Sequence, residues 1–405
     1  MDRVIFHVDV NSAYLSWEAA RRVSEGLTDL RLIPSAIGGD QDKRTGVILA
    51  KSIPAKKYGI TTGEPVAMAL RKCPKLVIAK PDFQLYVNNS RAFMDICSSY
   101  APALEKFSID ECFLDMTGTT SMYPDIVATA REIKDKIRNE LGFTVNIGVG
   151  SNKLLAKMAS DFEKPDKVHT LFTDEIQEKM WPLPVRDLFF CGKSTSEKLE
   201  RYGIKTIGDL AAARPEDARR IIGEKAGHTL WNYANGTDPS PVSPVREDAK
   251  GYSMATTLED DIKSAEGAKQ IIQMLTDSVA RRMRADSARA HCISVSIRDN
   301  DFRTKSHQRT LRNATDITRD IYNVCAELFD ELWDRKTPLR LIGVSLTEVT
   351  REGIEQMSMF DDGSSEKARK LDKALDSIVS KYGHAVIKRA SLLDSDSEKR
   401  GFKGK

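Results

Sequence analysis

The pattern of apolar and polar positions divides the chain into short alternating elements. Residues 4–10, VIFHVDV, read as a strand, and 11–26, NSAYLSWEAARRVSEG, open with capping residues and continue as a helix stopped by Gly26. The stretch 35–51, SAIGGDQDKRTGVILAK, predicts a hairpin around a polar turn. Helical periodicity returns at 84–99 and 122–140, with a hairpin at 103–116 between them and a strand at 143–150 after them. With the inserted 35–80 region set aside, the order is β-α-β-β-α-β, that of a ferredoxin-like core. Next, SNKLLAKMASDFEKP forms a helix ending before Pro165, and 185–237 are short helices punctuated by glycine. The segment TDPSPVSPVREDAKG, 237–251, has three prolines and no apolar period, as a linker does. A second small α/β unit follows: strand 252–258, helix 264–287, strands 291–298 and 302–312, helix 316–334 and strand 338–348. The tail carries one amphipathic helix with Leu371, Leu375, Ile378 and Tyr382 on one face, then a charged end.

Composition narrows the picture only a little. A chain of 405 residues has room for about two to four domains. The net charge of +3 permits a nucleic-acid partner without arguing for one. Six scattered cysteines with no C-x-x-C pair fit reduced thiols and a cytoplasmic location, and argue against zinc sites or a disulfide framework. No apolar run reaches membrane-spanning length, and the N-terminus reads as a strand rather than a signal peptide, so no membrane association is expected.

The candidate chemistry lies in FSIDECFLDMT, 107–117, where Asp110 and Glu111 stand side by side in an otherwise strand-like run. An unpaired carboxylate in an apolar setting costs several kcal/mol, roughly, so something positive must offset it. Neighbouring side chains on a regular strand point to opposite faces, which places the pair at the bend of a hairpin. A solvated polar turn is an equal reading of this stretch alone. In a β-α-β-β-α-β sheet the first strand can lie beside that hairpin, bringing Asp9 near both acids. Three carboxylates in one place need cations between them, and oxygen-only ligands suit magnesium or manganese. Two such ions about 4 Å apart form the clamp used in phosphoryl transfer.

HVDVNSAYLSWE, GVILAKSIPAKKYGITTGEP, FSIDECFLDMT and GVGSNKLLAKMASDFEKP together resemble the Y-family, lesion-bypass DNA polymerases of the bacterial DNA polymerase IV and UmuC type. The resemblance implies an α/β (α+β) right hand: a ferredoxin-like palm at 1–10 and 75–183, small fingers at 11–74, a helix-hairpin-helix thumb at 184–238, a linker at 239–249, an α/β little finger at 250–350, and a tail at 351–405. It implies template-directed, low-fidelity DNA synthesis without proofreading by a monomer, on primer-template DNA and dNTP. Its metal ligands fall on Asp9, Asp110 and Glu111 and on the carbonyl of Val10, holding two Mg2+ ions, with Mn2+ as a substitute. Tyr14 falls on the steric gate beneath the incoming sugar; without the family it would read as an aromatic packing the first turn of a helix. Lys56 and Lys164 fall on triphosphate-binding positions, and the backbone amides of Asn11, Ser12, Ala13 and Tyr14, at a helix N-terminus, suit phosphate oxygens.

Departures from the family accompany these matches. Ile53 and Lys56 stand where a triphosphate-binding tyrosine and arginine are usual, which implies weaker nucleotide binding. Ala13 replaces a common aromatic, Val47 and Leu49 fall where small roof residues are common, and Phe190 stands where the thumb motif's first glycine is expected. Gly192 survives as a minor-groove phosphate contact. In the strand 302–312, Arg303, Lys305, Arg309 and Arg312 are candidate DNA contacts, or else charges that protect an edge strand from aggregation. The peptide QMSMF, 356–360, resembles the motif that docks bacterial sliding clamps, with Gln356, Met359 and Phe360 as anchors; simple packing on the following helix is the other reading. A non-catalytic DNA- and clamp-binding scaffold is the competing function, and a cyclase on a similar palm a distant third.

Overall fold

The computed structural model describes residues 3–39, 46–119, 121–245, 247–351, 364–383 and 386–387. They fall into two compact units, divided at residue 246.

The first unit is built on β1 (Ile5–Val10). Helix α1 (Ala13–Ser24) follows, then β2 (Ser35–Gly38), β3 (Ile48–Lys51), α2 (Ile53–Lys56), α3 (Val66–Lys72) and β4 (Val77–Ala79). Strand β2 pairs antiparallel with β3 and parallel with β4, so the expected hairpin is present with a third strand, β4, added to it. Helix α4 (Phe83–Ser98), β5 (Ala103–Lys106), β6 (Glu111–Asp115), α5 (Ile126–Leu141), β7 (Val145–Gly150), α6 (Lys153–Asp161) and β8 (Val168–Leu171) complete the larger sheet. Its order is β5-β6-β1-β7-β8, which is the ferredoxin-like arrangement with β8 appended parallel to β7. Asp82, Asp125 and Asn152 each cap the helix that follows by accepting a backbone N–H.

Alternation along β1 sets the two faces of this sheet. Phe6, Val8 and Val10 are buried in the main core with Trp17, Tyr86, Phe93, Ile133 and Ile137. The opposite face, that of His7 and Asp9, is crossed by α6. Such close approach requires glycine: a Cβ at Gly148 would sit 2.0 Å from the Ala156 carbonyl oxygen, and one at Gly150 2.7 Å from the Ala156 nitrogen.

Four helices follow, α7 (Lys193–Arg201), α8 (Ile207–Ala212), α9 (Pro215–Ile222) and α10 (Glu224–Ala234). Leu199, Ile207, Leu210 and Leu230 share a core with Leu154, Leu155 and Met158 of α6. The proline-bearing segment beyond them is not a free tether over its first residues. Arg3 donates to the Ser240 carbonyl at 2.9 Å, the Ser243 N–H donates to Glu105 at 2.8 Å, and Val242 is buried against Ile5, Phe113 and Ala156.

The second unit contains β9 (Gly251–Ile262), α11 (Ala265–Ala285), β10 (Arg289–Asp299), β11 (Thr304–Thr315), α12 (Thr318–Leu332) and β12 (Leu339–Thr350). It repeats the β-α-β-β-α-β element order with a different strand order, β11-β10-β12-β9, all antiparallel. Helix α13 (Ser364–Tyr382) packs on this unit through charge: Arg284 donates to Asp376 at 2.7 and 3.0 Å, and the Thr318 N–H donates to Asp372 at 2.8 Å. Asp372 and Val379 are buried, while Leu371, Ile378 and Tyr382 of the expected apolar face are exposed. All six cysteines are free and buried.

Candidate active site

The register of β1 against β6 places Asp9 directly opposite Glu111. Residues paired in this way share a face, so both carboxylates lie on the α6 side of the sheet. Asp110 precedes β6 in the bend, where its carbonyl accepts the Val10 N–H at 3.0 Å and its carboxylate accepts the Ser108 hydroxyl at 2.5 Å. The three predicted acids therefore converge at the ends of two central strands.

Two lysines meet them. Lys157, buried on α6, lies 2.9 Å from Glu111, 3.6 Å from Asp9 and 3.4 Å from Asp161. Lys164 lies 2.9 Å from Asp9 and 2.8 Å from Asp161. Behind Glu111, the fully buried His7 bridges it at 3.0 Å to the Ser160 hydroxyl at 2.7 Å. Burial pushes the His7 imidazole pKa down, with Lys157 adding to it, and the ring stays neutral. Ionised Glu111 can only accept, so Nε2 carries the proton.

The acids respond differently to this setting. Burial alone would raise the Glu111 pKa, but the His7 hydrogen bond and the Lys157 ammonium bring it down to about 2. Asp110 is raised, first by burial and then by the negative charges of Glu111 and Asp9, against the Ser108 hydrogen bond. Both lysine pKa values are raised: burial lowers each, and the surrounding carboxylates outweigh it.

Among the described residues, no group of three or more His, Cys, Asp or Glu side chains is spaced to hold a metal ion as it stands. The oxygens of Asp9 and Glu111 face ammonium groups instead. The donor set nevertheless suits a hard divalent cation, because it is all oxygen and already draws two positive charges.

The flanking residues differ in what they can offer. The Asn11 N–H is bonded to the Thr144 carbonyl at 3.0 Å, which removes it from the expected row of phosphate-binding amides. Its side chain clamps the segment before β8, accepting from the Asp166 N–H at 3.0 Å and donating to Asn146 at 3.0 Å. Asn146 in turn donates to the carbonyls of Ser160 and Glu163, which fixes the segment bearing Lys164. Ser12 sits exposed at the start of α1 with φ of +49°, and Ala13 is buried. Tyr14 stacks on Tyr86 with ring centroids 4.6 Å apart, flanked by Trp17 and Phe83. Its pKa is raised by burial and then by the charge of Asp110. Lys56 is exposed, and its charge adds to burial in drawing the Lys51 pKa down.

Lys157, His7 and Asn146 are contributors that the sequence reading did not single out. Lys157, Asp161 and Lys164 recur at steps of four and three, the spacing of one helix face, and that was the available signal.

The remaining predicted contacts lie elsewhere. Gly192 caps the N-terminus of α7 with φ of −71°, and a Cβ there would meet nothing within 4 Å. Phe190 has φ of +66°, a conformation costing a bulky residue about 1–2 kcal/mol. In the second unit Arg303, Lys305 and Arg312 are exposed, while Arg309 is held by Glu327 and, at 2.9 Å, by Glu331. Gln356, Met359 and Phe360 lie outside the described residues. No helix among the described residues is long and apolar enough to cross a membrane.

Comparison with known proteins bears on this geometry. Residues 8–161 match the impB/mucB/samB family, 249–359 match the C-terminal domain of that family, and 186–238 match a thumb domain described for DNA polymerase iota. The chain is 45% identical to DNA polymerase IV of Clostridium acetobutylicum over 98% of its own length and 100% of that protein. It is 35% identical to DNA polymerase IV 1 of Bacillus subtilis, covering 98% of this chain and 95% of the relative. A solved Y-family DNA polymerase chimera shares the fold with a TM-score of 0.76 at 21% identity, over 86% of this chain and 100% of that one.

Proposed function

The chain belongs to the Y family of lesion-bypass DNA polymerases, the impB/mucB/samB family, and from that premise we propose how its residues divide the work of DNA synthesis. It is a template-directed, translesion-type DNA polymerase, joining dNTPs to a primer 3′-hydroxyl with low fidelity and a dependence on divalent metal.

Asp9, Asp110, Glu111 and the Val10 carbonyl would hold two Mg2+ ions. When bound, these neutralise charge on the reacting phosphate and on the leaving pyrophosphate. The observation that carries this reading is the ladder pairing of Asp9 with Glu111 beside the Asp110 bend. Lys157 keeps Glu111 ionised, Lys164 pairs with Asp9, and Glu111 is held by His7 in one orientation. Lys164, paired directly with Asp9, and Lys56 on α2 receive the triphosphate together with the amides of Ser12, Ala13 and Tyr14. Ile53 and Lys56 supply neither a phenol nor a guanidinium fork, which weakens nucleotide binding relative to chains that have both. Tyr14 lies beneath the sugar as the gate. The β1 sheet serves as palm, the β2 sheet as fingers, α7 to α10 as thumb, and the second unit as little finger, with Gly192, Arg303, Lys305 and Arg312 toward DNA. The protein works in the cytoplasm as a monomer that docks a sliding clamp through Gln356, Met359 and Phe360.

The test is Asp110→Ala assayed by primer extension with magnesium. Losing this carboxylate should raise the barrier by several kcal/mol, about a thousandfold in rate, with duplex DNA binding nearly intact. Extension at a tenth of the parent rate would remove Asp110 from the site.

A further inference from the structure

Asn146 stands in the same row as the acids, yet its hydrogen bonds go elsewhere. In the β1–β7 ladder it lies opposite Asp9, which lies opposite Glu111 in the β1–β6 ladder, so the three share the face crossed by α6. It is fully buried, and an amide in such a place costs stability unless it is hydrogen-bonded. All four of its bonding positions are filled. Its oxygen accepts from the Asn11 side chain at 3.0 Å and from the Lys167 N–H at 3.3 Å. Its nitrogen donates to the Ser160 carbonyl at 3.1 Å and to the Glu163 carbonyl at 2.6 Å.

These partners belong to two segments. Asn11 opens the turn into α1, and Ser160, Glu163 and Lys167 surround Lys164 in sequence at the C-terminal end of α6, where carbonyls lack intrahelical partners. Asn11 completes the junction by accepting the Asp166 N–H at 3.0 Å. From the other side Lys134 and Arg138 hold the Asp166 carboxylate at 3.0 and 2.7 Å. The backbone on both sides of Lys164 is thereby fixed, while its ammonium reaches Asp9 at 2.9 Å. An apolar side chain at 146 could fill the same space in the sheet, but it would leave the two carbonyls and the Lys167 N–H without this partner and would not tie the segments together. A flexible lysine gives up less conformational freedom on binding when its stem is already fixed.

We propose that Asn146 is a positioning residue for the incoming nucleotide: it ties the turn before α1 to the segment bearing Lys164, so that the lysine and the α1 amides meet the triphosphate already in register. The inference rests on Lys164 being a triphosphate contact, and it gives Asn146 no contact with substrate.

The test is a double-mutant cycle of Asn146→Ala and Lys164→Ala in the full chain, read by single-turnover insertion of one dNTP at saturating Mg2+, which separates nucleotide affinity from the maximal rate. All variants are assayed below their melting temperatures, because losing buried hydrogen bonds lowers the melting temperature of Asn146→Ala whatever its role. Lys164→Ala should weaken dNTP binding about tenfold or more, the usual worth of a hydrogen bond to a charged group. Asn146→Ala should weaken it about tenfold with the maximal rate within about threefold of the parent, since misplacing a contact group acts at a distance. Added to Lys164→Ala, it should weaken binding by less than about twofold more. If the alanine variant does not fold, Asn146→Ser, which keeps one donor and one acceptor, replaces it in the same cycle with a smaller loss expected. The same factor with and without Lys164 overturns the proposal, because a structural role would act in both backgrounds. A lower maximal rate at unchanged affinity overturns it as well. Unchanged affinity in Lys164→Ala alone removes Lys164 from the triphosphate and the proposal with it, whereas a loss there beside a neutral Asn146→Ala overturns this inference only.

Discussion

Lys157 faces three carboxylates from a buried position, so it is the residue whose loss tests the electrostatics of the site most directly. A buried ion pair adds little net stability, but removing one partner leaves uncompensated charge costing about 3 kcal/mol or more. Lys157→Met should therefore lower the melting temperature in EDTA. It should also gain more from added Mg2+ than the parent does, because the cation would replace the missing positive charge. A variant that responds to Mg2+ no more than the parent would show that the carboxylates do not converge on a cation. Tyr14 calls for a paired measurement of another kind. Its stack on Tyr86 means that Tyr14→Ala removes packing as well as a gate, at a cost of about 3 kcal/mol in stability. Activity alone therefore decides nothing, and the ratio of ribonucleotide to deoxyribonucleotide specificity constants does. That ratio should rise tenfold or more, each factor of ten being about 1.4 kcal/mol of lost discrimination; an unchanged ratio would leave Tyr14 as packing only. Asp9, Asp110 and Glu111 were legible because acids inside apolar strand runs stand out. Lys157, His7 and Asn146 were not, since their partners depend on α6 crossing the sheet at Gly148 and Gly150, which is a tertiary fact.

Elements with strong local periodicity could be read from the chain, and those stabilised from a distance could not. Strand β1, the β5–β6 hairpin and helices α4 and α5 each carry their own alternation or caps, and the ferredoxin-like order follows from them. Strands β4 and β8 have three and four residues and exist by pairing parallel with strands far along the chain, which no short window reveals. Helix α13 shows the limit of periodicity most plainly. Its apolar residues mark Leu371, Leu375, Ile378 and Tyr382 as the inward face, yet Asp372 and Asp376 turn toward Arg284 and Thr318 instead. Counting apolar positions is blind to a buried guanidinium on another element, and four charge-assisted hydrogen bonds decide the orientation. The basic strand β11 shows the same blindness from the other side. Arg309 reads as a free cation in sequence, whereas the acids of α12 neutralise it, so any salt dependence that this strand adds to DNA binding must come from its neighbours.

At the scale of the whole molecule the weak point is hold on the substrate. A net charge of +3 spread over 405 residues gives little long-range attraction to a polyanion, and the strand that looked richest in cations spends one of them internally. Such a polymerase should dissociate after few additions unless it is tethered. A peptide that docks a ring encircling the DNA converts each rebinding into an intramolecular step, and gains of about 10²–10⁴ in avidity require no new contact with DNA. In 356–360 the glutamine, the second methionine and the phenylalanine are the side chains expected to carry that docking, since a few anchors dominate such interfaces. Replacing Gln356, Met359 and Phe360 together with alanine should leave clamp-free primer extension unchanged, because none of the three falls within 1–10 or 75–183, the stretches expected to form the palm. With a loaded sliding clamp the parent should make products at least about tenfold longer, and the triple variant should lose nearly all of that gain. The two measurements belong on one template at near-physiological salt, where unassisted DNA binding is weakest. Equal stimulation of parent and variant would show that these residues pack against their own chain and that any clamp contact is made elsewhere.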